Sequence, residues 1–176
     1  MLSNYEKASQ LIQKNIDLFI SGFCPCSECS IKKIEQILKS KMPSDYVQFL
    51  RTFGLLNFGC EEVFGIFRDE IEKIYQGNMT RETLDERNNF GMPKNLVIIH
   101  KLGDGTFDCL QINEEDPDKS PVVEYHDPNS PVRVLAPNFG TFLLELVQQE
   151  IKYQEEEKQK EAAKVPQEKM IQSELF

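Results

Sequence analysis

In the first third of the chain, apolar residues recur at three- and four-residue steps, the spacing of one helical face. Tyr5, Ala8, Ile12, Ile16 and Phe19 predict a helix over residues 3–20, capped by Ser3 or Asn4 and stopped by Gly22 and Pro25. Ile31, Ile34 and Leu38 predict a second helix with Ser30 as its N-cap. A third begins at Pro43, whose missing N–H suits a first helical position, and Ser44 and Asp45 place polar groups where the helix dipole favours them. Its buried stripe is Tyr46, Phe49, Leu50 and Phe53, and Gly54 ends it. Joined by so short a link, the second and third helices should fold back as a hairpin.

The period then changes. Val63, Phe64, Ile66 and Phe67, with Gly65 among them, read as a short strand. Residues 69–75 and 80–88 read as short helices capped by Asp69 and Thr80. NLVIIHK, the turn Gly103-Asp104-Gly105 and TFDCLQI form a hairpin pattern. PVVEYH and PVRVLA continue the strands, each with proline where a strand start tolerates it. From Asn138 the helical period returns through Phe139, Phe142, Leu143, Leu146, Val147 and Ile151. Beyond Tyr153 it gives way to EEEKQKEAAK, a stretch that Glu–Lys pairs such as Glu156 with Lys160 can keep helical. Pro166 is expected to end that helix and the last ten residues to lack fixed structure. Helices, then a meander of strands, then a closing helix predict an α+β domain with helices packed on a mainly antiparallel sheet, residues 1–152, followed by a charged helical extension and tail, residues 153–176.

Composition narrows the chemistry. The chain has 176 residues and a net charge of −9. Five Lys and six Glu from Lys152 onward leave −8 on the residues before it, so the acidity belongs to the domain itself. That disfavours a phosphate-binding surface and nucleic acid as a partner. No apolar run is long enough for a membrane helix, and the opening residues lack a basic-then-apolar leader. Five unevenly spaced cysteines fit a reducing, cytoplasmic setting better than a disulfide framework.

Several patterns could carry chemistry. Cys24, Cys26 and Cys29 include a Cys-x-x-Cys step of structural-zinc spacing, but a second pair is missing and the fourth ligand would have to come from elsewhere in the fold. The expectation is incidental thiols, with no metal and no cofactor. His100 ends a strand and His126 precedes Asp127-Pro128, and neither sits in a nucleophile or metalloprotease motif. The glycine-flanked Asp104 lacks the lysine-bearing helix of a phosphate loop. Glu114, Glu115, Asp116 and Asp118 lack the glycine and final glutamate of a calcium loop. No catalytic constellation emerges.

The run IKKIEQILKSKMPSDYVQFLRTFG resembles the opening signature of the SUKH superfamily (Smi/Knr-like proteins). The matching features are Ile34, Glu35, Met42, Pro43, Asp45, Tyr46, Phe49, Leu50 and Gly54, with Met42 where leucine is usual, a near-isosteric change. The later order is similar too: EEVFGIF, the paired strands around Gly103, PVVEYH, and the aromatic helix start between Ala136 and Val147. The resemblance covers about residues 28–150. It implies a non-enzymatic binding protein, either a bacterial immunity protein that neutralises a toxin domain or a regulator resembling those of fungal cell-wall glucan synthesis. Nuclease toxins are often basic because they grip phosphate, and an acidic inhibitor associates with such a partner faster. The candidate contact residues are therefore Glu61, Glu62, Glu114, Glu115, Asp116, Asp118, Glu124 and Asp127. A regulator would instead use the tail, where Met170, Ile171, Leu175 and Phe176 follow the charged stretch.

Overall fold

A computed structural model describes residues 1–18, 23–59, 61–72, 77–130 and 132–173, the stretch from 161 to 173 as backbone. The elements are α1 (Asn4–Lys14), α2 (Glu28–Leu38), α3 (Ser44–Thr52), β1 (Leu56–Phe58), β2 (Glu61–Val63), α4 (Met79–Asn89), β3 (Leu96–Lys101), β4 (Phe107–Gln111), β5 (Val122–Tyr125), β6 (Arg133–Ala136) and α5 (Phe139–Ser173). Strands β3 to β6 form one antiparallel sheet in sequence order, and β1 and β2 form a separate antiparallel pair. Helix α1 packs on α5, α4 on β3, and α3 between α2 and α5. The α+β architecture expected from the sequence is the one observed.

Helix starts depart from expectation in instructive ways. Ser3 caps α1 in a full capping box with Glu6, as one of the two candidates should. The helix stops at Lys14, and Ile16 lies in a short 3-10 turn, half exposed, while Phe19 lies outside the described residues. The N-cap of α2 is Ser27 rather than Ser30: its hydroxyl accepts the Ser30 N–H, so Ser30 is already inside the first turn. Pro43 sits one position before the first helical residue of α3 and offers no capping side chain. Asp118, brought from the loop before β5, supplies that acceptor at 2.7 Å from the Ser44 N–H. Residues 69–72 form turns rather than a helix start, and Asp69 caps across space instead, accepting the Ser27 N–H at 2.8 Å. Asn78, not Thr80, caps α4. Residues 73–76 lie outside the described set.

The signature residues are explained by packing. Tyr46, Phe49 and Phe139 are fully buried, with ring centroids 4.8–5.7 Å apart. The Tyr46 hydroxyl donates to the Phe64 carbonyl at 2.8 Å, tying α3 to the segment after β2. Asp45 bridges two helices: its carboxylate accepts the Tyr46 N–H at 2.8 Å and the Gly140 N–H at the start of α5 at 2.6 Å. Burial pushes its carboxyl upward against the pull of those bonds. Glu35 pairs with Lys41 and accepts the Met42 N–H, fixing the link between α2 and α3. Arg51 near the end of α3 grips Glu28 at the start of α2 with two hydrogen bonds, the mark of an antiparallel hairpin.

At the other end of the chain, α5 runs on to Ser173, past Pro166. One proline removes one donor, whereas EAAK and QEKM on either side are strong helix formers. Lys160 pairs with Glu157 rather than Glu156, and Glu156 lies 3.8 Å from Lys152.

Candidate functional site: an acidic cleft beside the C-terminal helix

Four polar side chains cross the main sheet in one row. His100 on β3 is opposite Asp108 on β4, Asp108 is opposite Glu124 on β5, and Glu124 is opposite Arg133 on β6. At one end Arg133 holds both oxygens of Glu124, at 3.1 and 2.6 Å. At the other end Glu61, from β2, reaches the ring of His100. A β-bulge between Ile98 and His100 makes this reach possible. It accompanies a bond from the Phe64 N–H to the Ile99 carbonyl at 2.7 Å, which docks the β1–β2 hairpin against β3.

His100 is buried to 2% exposure, with Nδ1 2.8 Å from Asp108 and Nε2 2.5 Å from Glu61. Both ring nitrogens face carboxylate oxygens, an arrangement that favours the imidazolium, in which both donate. Burial by itself disfavours that charge, but the hydrogen bond and charge of Asp108, then those of Glu61, outweigh it and raise the pKa. With neither nitrogen holding a free lone pair, the ring cannot take a proton from a nucleophile. Its chemistry is that of a clamp.

Over this row α5 forms the second wall. Phe142, Glu145, Leu146 and Gln149 face it across a cleft of about 320 Å³. An adjoining hollow of about 330 Å³, sharing Glu61, Leu146 and Gln149, extends along α5 to Glu150, Tyr153 and Gln154. Carboxylates thus outnumber cations along both hollows: Glu61, Asp108, Glu124, Glu145 and Glu150 against Arg133 and the charged His100. Leu146 and the exposed Tyr153 add apolar surface beside them. This surface can receive a lysine or arginine flanked by an apolar residue.

Of the eight acidic residues singled out in the sequence, the structure brings Glu61 and Glu124 together here. Glu62 is half-buried on β2, with its carboxylate against Gly77. Glu114 is exposed beside a different groove, near Arg87. Glu115 and Asp116 belong to a turn closed by Asn113, whose side chain accepts both their N–H groups, and Asp116 also pairs with Lys119. Asp118 caps α3. Asp127 closes a turn onto Ser130 and Asn129, and those bonds hold its carboxyl below the usual range.

Sequence reading passes over Asp108, Glu145 and Glu150 and takes His100 only as the end of a strand outside any catalytic motif, yet signals for all four exist. Counting outward from Asp104 pairs Lys101 with Phe107 and His100 with Asp108, as observed. Likewise Leu146, Glu150 and Tyr153 recur at helical steps on one face of α5.

The cysteine cluster has another character. Cys26 is buried and donates to the Ile66 carbonyl at 3.4 Å, and burial, reinforced by Asp69, pushes its thiol up to about 12. Cys29 is exposed on α2 and Cys24 half-buried, so the three differ in environment. Cys109 is buried in β4 with a raised pKa, and Cys60 lies outside the described residues. Among the described residues no three His, Cys, Asp or Glu side chains converge as a metal-ligand set. No described helix is long and apolar enough to cross a membrane.

Comparison with known families supplies the remaining observation. The model of the SMI1-KNR4 cell-wall (SUKH) family matches residues 28–143, 116 of the 176 residues. The chain belongs to this family. No curated protein matches it. The SUKH match takes in the whole polar row and the first turn of α5, whereas Glu145, Leu146, Gln149, Glu150 and Tyr153 lie beyond it. One wall of the cleft is therefore SUKH scaffold, and much of the other comes from the continuation of α5.

Proposed function

We propose that this chain is a non-enzymatic protein-binding module, a cytoplasmic immunity protein that neutralises a basic toxin domain, and that the acidic cleft beside α5 is its contact surface. The carrying observation is the cleft itself: carboxylates at its rim, an apolar strip along α5, and a histidine committed at both nitrogens. SUKH membership supports a binding role. A basic active site that grips phosphate presents the cations such a cleft would hold, and an acidic chain accelerates the encounter. Glu61 and Glu124 are the strongest of the sequence candidates, now joined by Glu145 and Glu150. The domain comprises residues 1–152, and the charged continuation of α5 leaves it from 153, with Tyr153 and Gln154 still bordering the hollow.

Co-expression with a toxin domain encoded beside its gene tests both parts. The wild-type chain is expected to restore growth. Glu145→Lys combined with Glu150→Lys is expected to fold with unchanged Tm, slow association by about tenfold or more at low salt, and lose protection. Failure of the wild-type chain to protect would reject the immunity reading. Full protection by the double variant would reject the cleft.

A regulatory or scaffolding role is the second reading, favoured by one feature: α5 continues to Ser173, far past the family match. Stopping the chain after Lys158 leaves the cleft lining intact. An immunity protein keeps its activity under that truncation, whereas a scaffold that docks through its tail loses it.

A further inference from the structure

A second groove, sharing no lining residue with the acidic cleft, runs between the C-terminal end of α2 and α4 and encloses about 580 Å³. Ile37, Leu84 and Met92 give it an apolar floor. Arg87 is fixed in its wall. The guanidinium donates to three carbonyls, Leu38 at 3.0 Å, Lys94 at 2.6 Å and Leu96 at 2.9 Å. Its Nε is buried with no partner, and no carboxylate pairs with it among the described residues. Arg87 is thus a groove-lining cation held by carbonyls, one of them at the C-terminal end of α2, whose dipole offsets part of its charge.

Around this fixed cation the rim is basic. Lys39, the left-handed C-cap of α2 at φ 53°, and Lys94 are both exposed. A shallower groove of about 390 Å³ shares Lys39 and Ser40 and adds Lys32 and Lys41. Lys41 and Glu35 neutralise each other in an ion pair, so Lys32, Lys39, Lys94 and Arg87 remain against Glu114 among the residues lining the two grooves. A chain of net charge −9 thus concentrates cations over an apolar floor in one place.

We propose that this groove docks an acidic segment of a partner protein, with an apolar side chain over Ile37 and Leu84 and carboxylates facing Lys39 and Lys94. The apolar floor suits a peptide, whereas a nucleic acid would gain little from it and would be repelled by the rest of the molecule. The surface is independent of the acidic cleft, so one chain can engage a basic and an acidic partner together.

The test is an amide-resolved NMR titration of the full chain with the capped hexapeptide acetyl-EELEEL-amide, with acetyl-KKLKKL-amide and hexathymidylate as comparisons. The acidic peptide is expected to shift the amides of Lys39, Ser40, Asn88 and Lys94, with an affinity that falls as salt rises. The surface variant Lys39→Glu with Lys94→Glu is expected to keep the remaining spectrum and weaken binding at least tenfold. Absence of localised shifts at millimolar peptide, equal binding by the variant, or equal binding of the basic peptide would each overturn the proposal. Tighter binding of hexathymidylate at the same amides would overturn it in favour of a nucleic-acid site.

Discussion

Gly65→Ala is expected to cost the fold about 3 kcal/mol or more, the upper end of overpacking effects. A Cβ at position 65 would lie 1.7 Å from the Gly54 carbonyl oxygen and 2.8 Å from its carbon, with the Leu50 side chain at 3.2 Å. Neither backbone can yield cheaply. The Gly54 carbonyl accepts the Ile66 N–H at 2.9 Å, while Gly65 donates to Gly77 at 3.1 Å and accepts from Met79 at 3.0 Å. Moving either strand of chain would break bonds that set the end of α3, the segment after β2 and the start of α4 at once. Gly103 in the β3–β4 turn is the control, since nothing lies within 4 Å of its Cβ position. Gly103→Ala is expected to stay within about 0.5 kcal/mol of wild type. Urea unfolding of both variants measures the difference, and a Gly65→Ala midpoint close to wild type would contradict this packing.

Asp108→Ala is expected to destabilise by about 3 kcal/mol, because removing one partner of a buried ion pair leaves the other charge uncompensated. Asp108 and His100 are 5% and 2% exposed. Glu61→Ala should cost less, since the Glu61 side chain is 35% exposed and water can replace it. The same pair sets a pH dependence. The folded-state pKa of His100 is raised above its ordinary value of about 6.5. Its stabilising contribution is therefore complete below about pH 6.5 and is lost as pH rises through the folded pKa. Urea midpoints across that interval should fall for wild type and flatten for Asp108→Ala, with NMR of the His100 ring following the same proton. A ring that titrates at or below pH 6.5 in the folded chain would contradict the clamp.

Local order was legible in the chain, and spatial coincidence was not. The stripe Tyr46-Phe49-Leu50-Phe53 and the hairpin around Asp104 announce themselves because periodicity and turn chemistry act within a few residues. The strand expected from Val63, Phe64, Ile66 and Phe67 meets β2 only at Val63, and β1 carried no signal, because strands of three residues each are too short to establish an alternation. The caps of α2 and α4 fall two or three residues before the expected ones, on Ser27 and Asn78, and other helix-start acceptors come from afar. Asp118 serves Ser44, Asp69 serves Ser27 and Asp45 serves Gly140, pairs that no local spacing links. This also explains why an acidic signature residue such as Asp45 is needed in a packed corner.

The candidate site followed the same division. Surface charge pointed to Glu61 and Glu124, which line the cleft, and equally to Asp118 and Asp127, which lie outside it. The cleft exists because register places four strands' polar residues in one row, and because a bulge lets Glu61 reach across to the second sheet. Register over four strands depends on loop lengths and bulges together, which the sequence does not display.

Hydrogen–deuterium exchange on the complex with the toxin domain bears most directly on binding at the cleft. Slowed exchange is expected in β6 and in the α5 segment from Phe142 to Gln154, with the rest of the sheet unchanged. Unaltered exchange in that segment, accompanied by protection confined to other faces, would place the contact elsewhere and contradict the account.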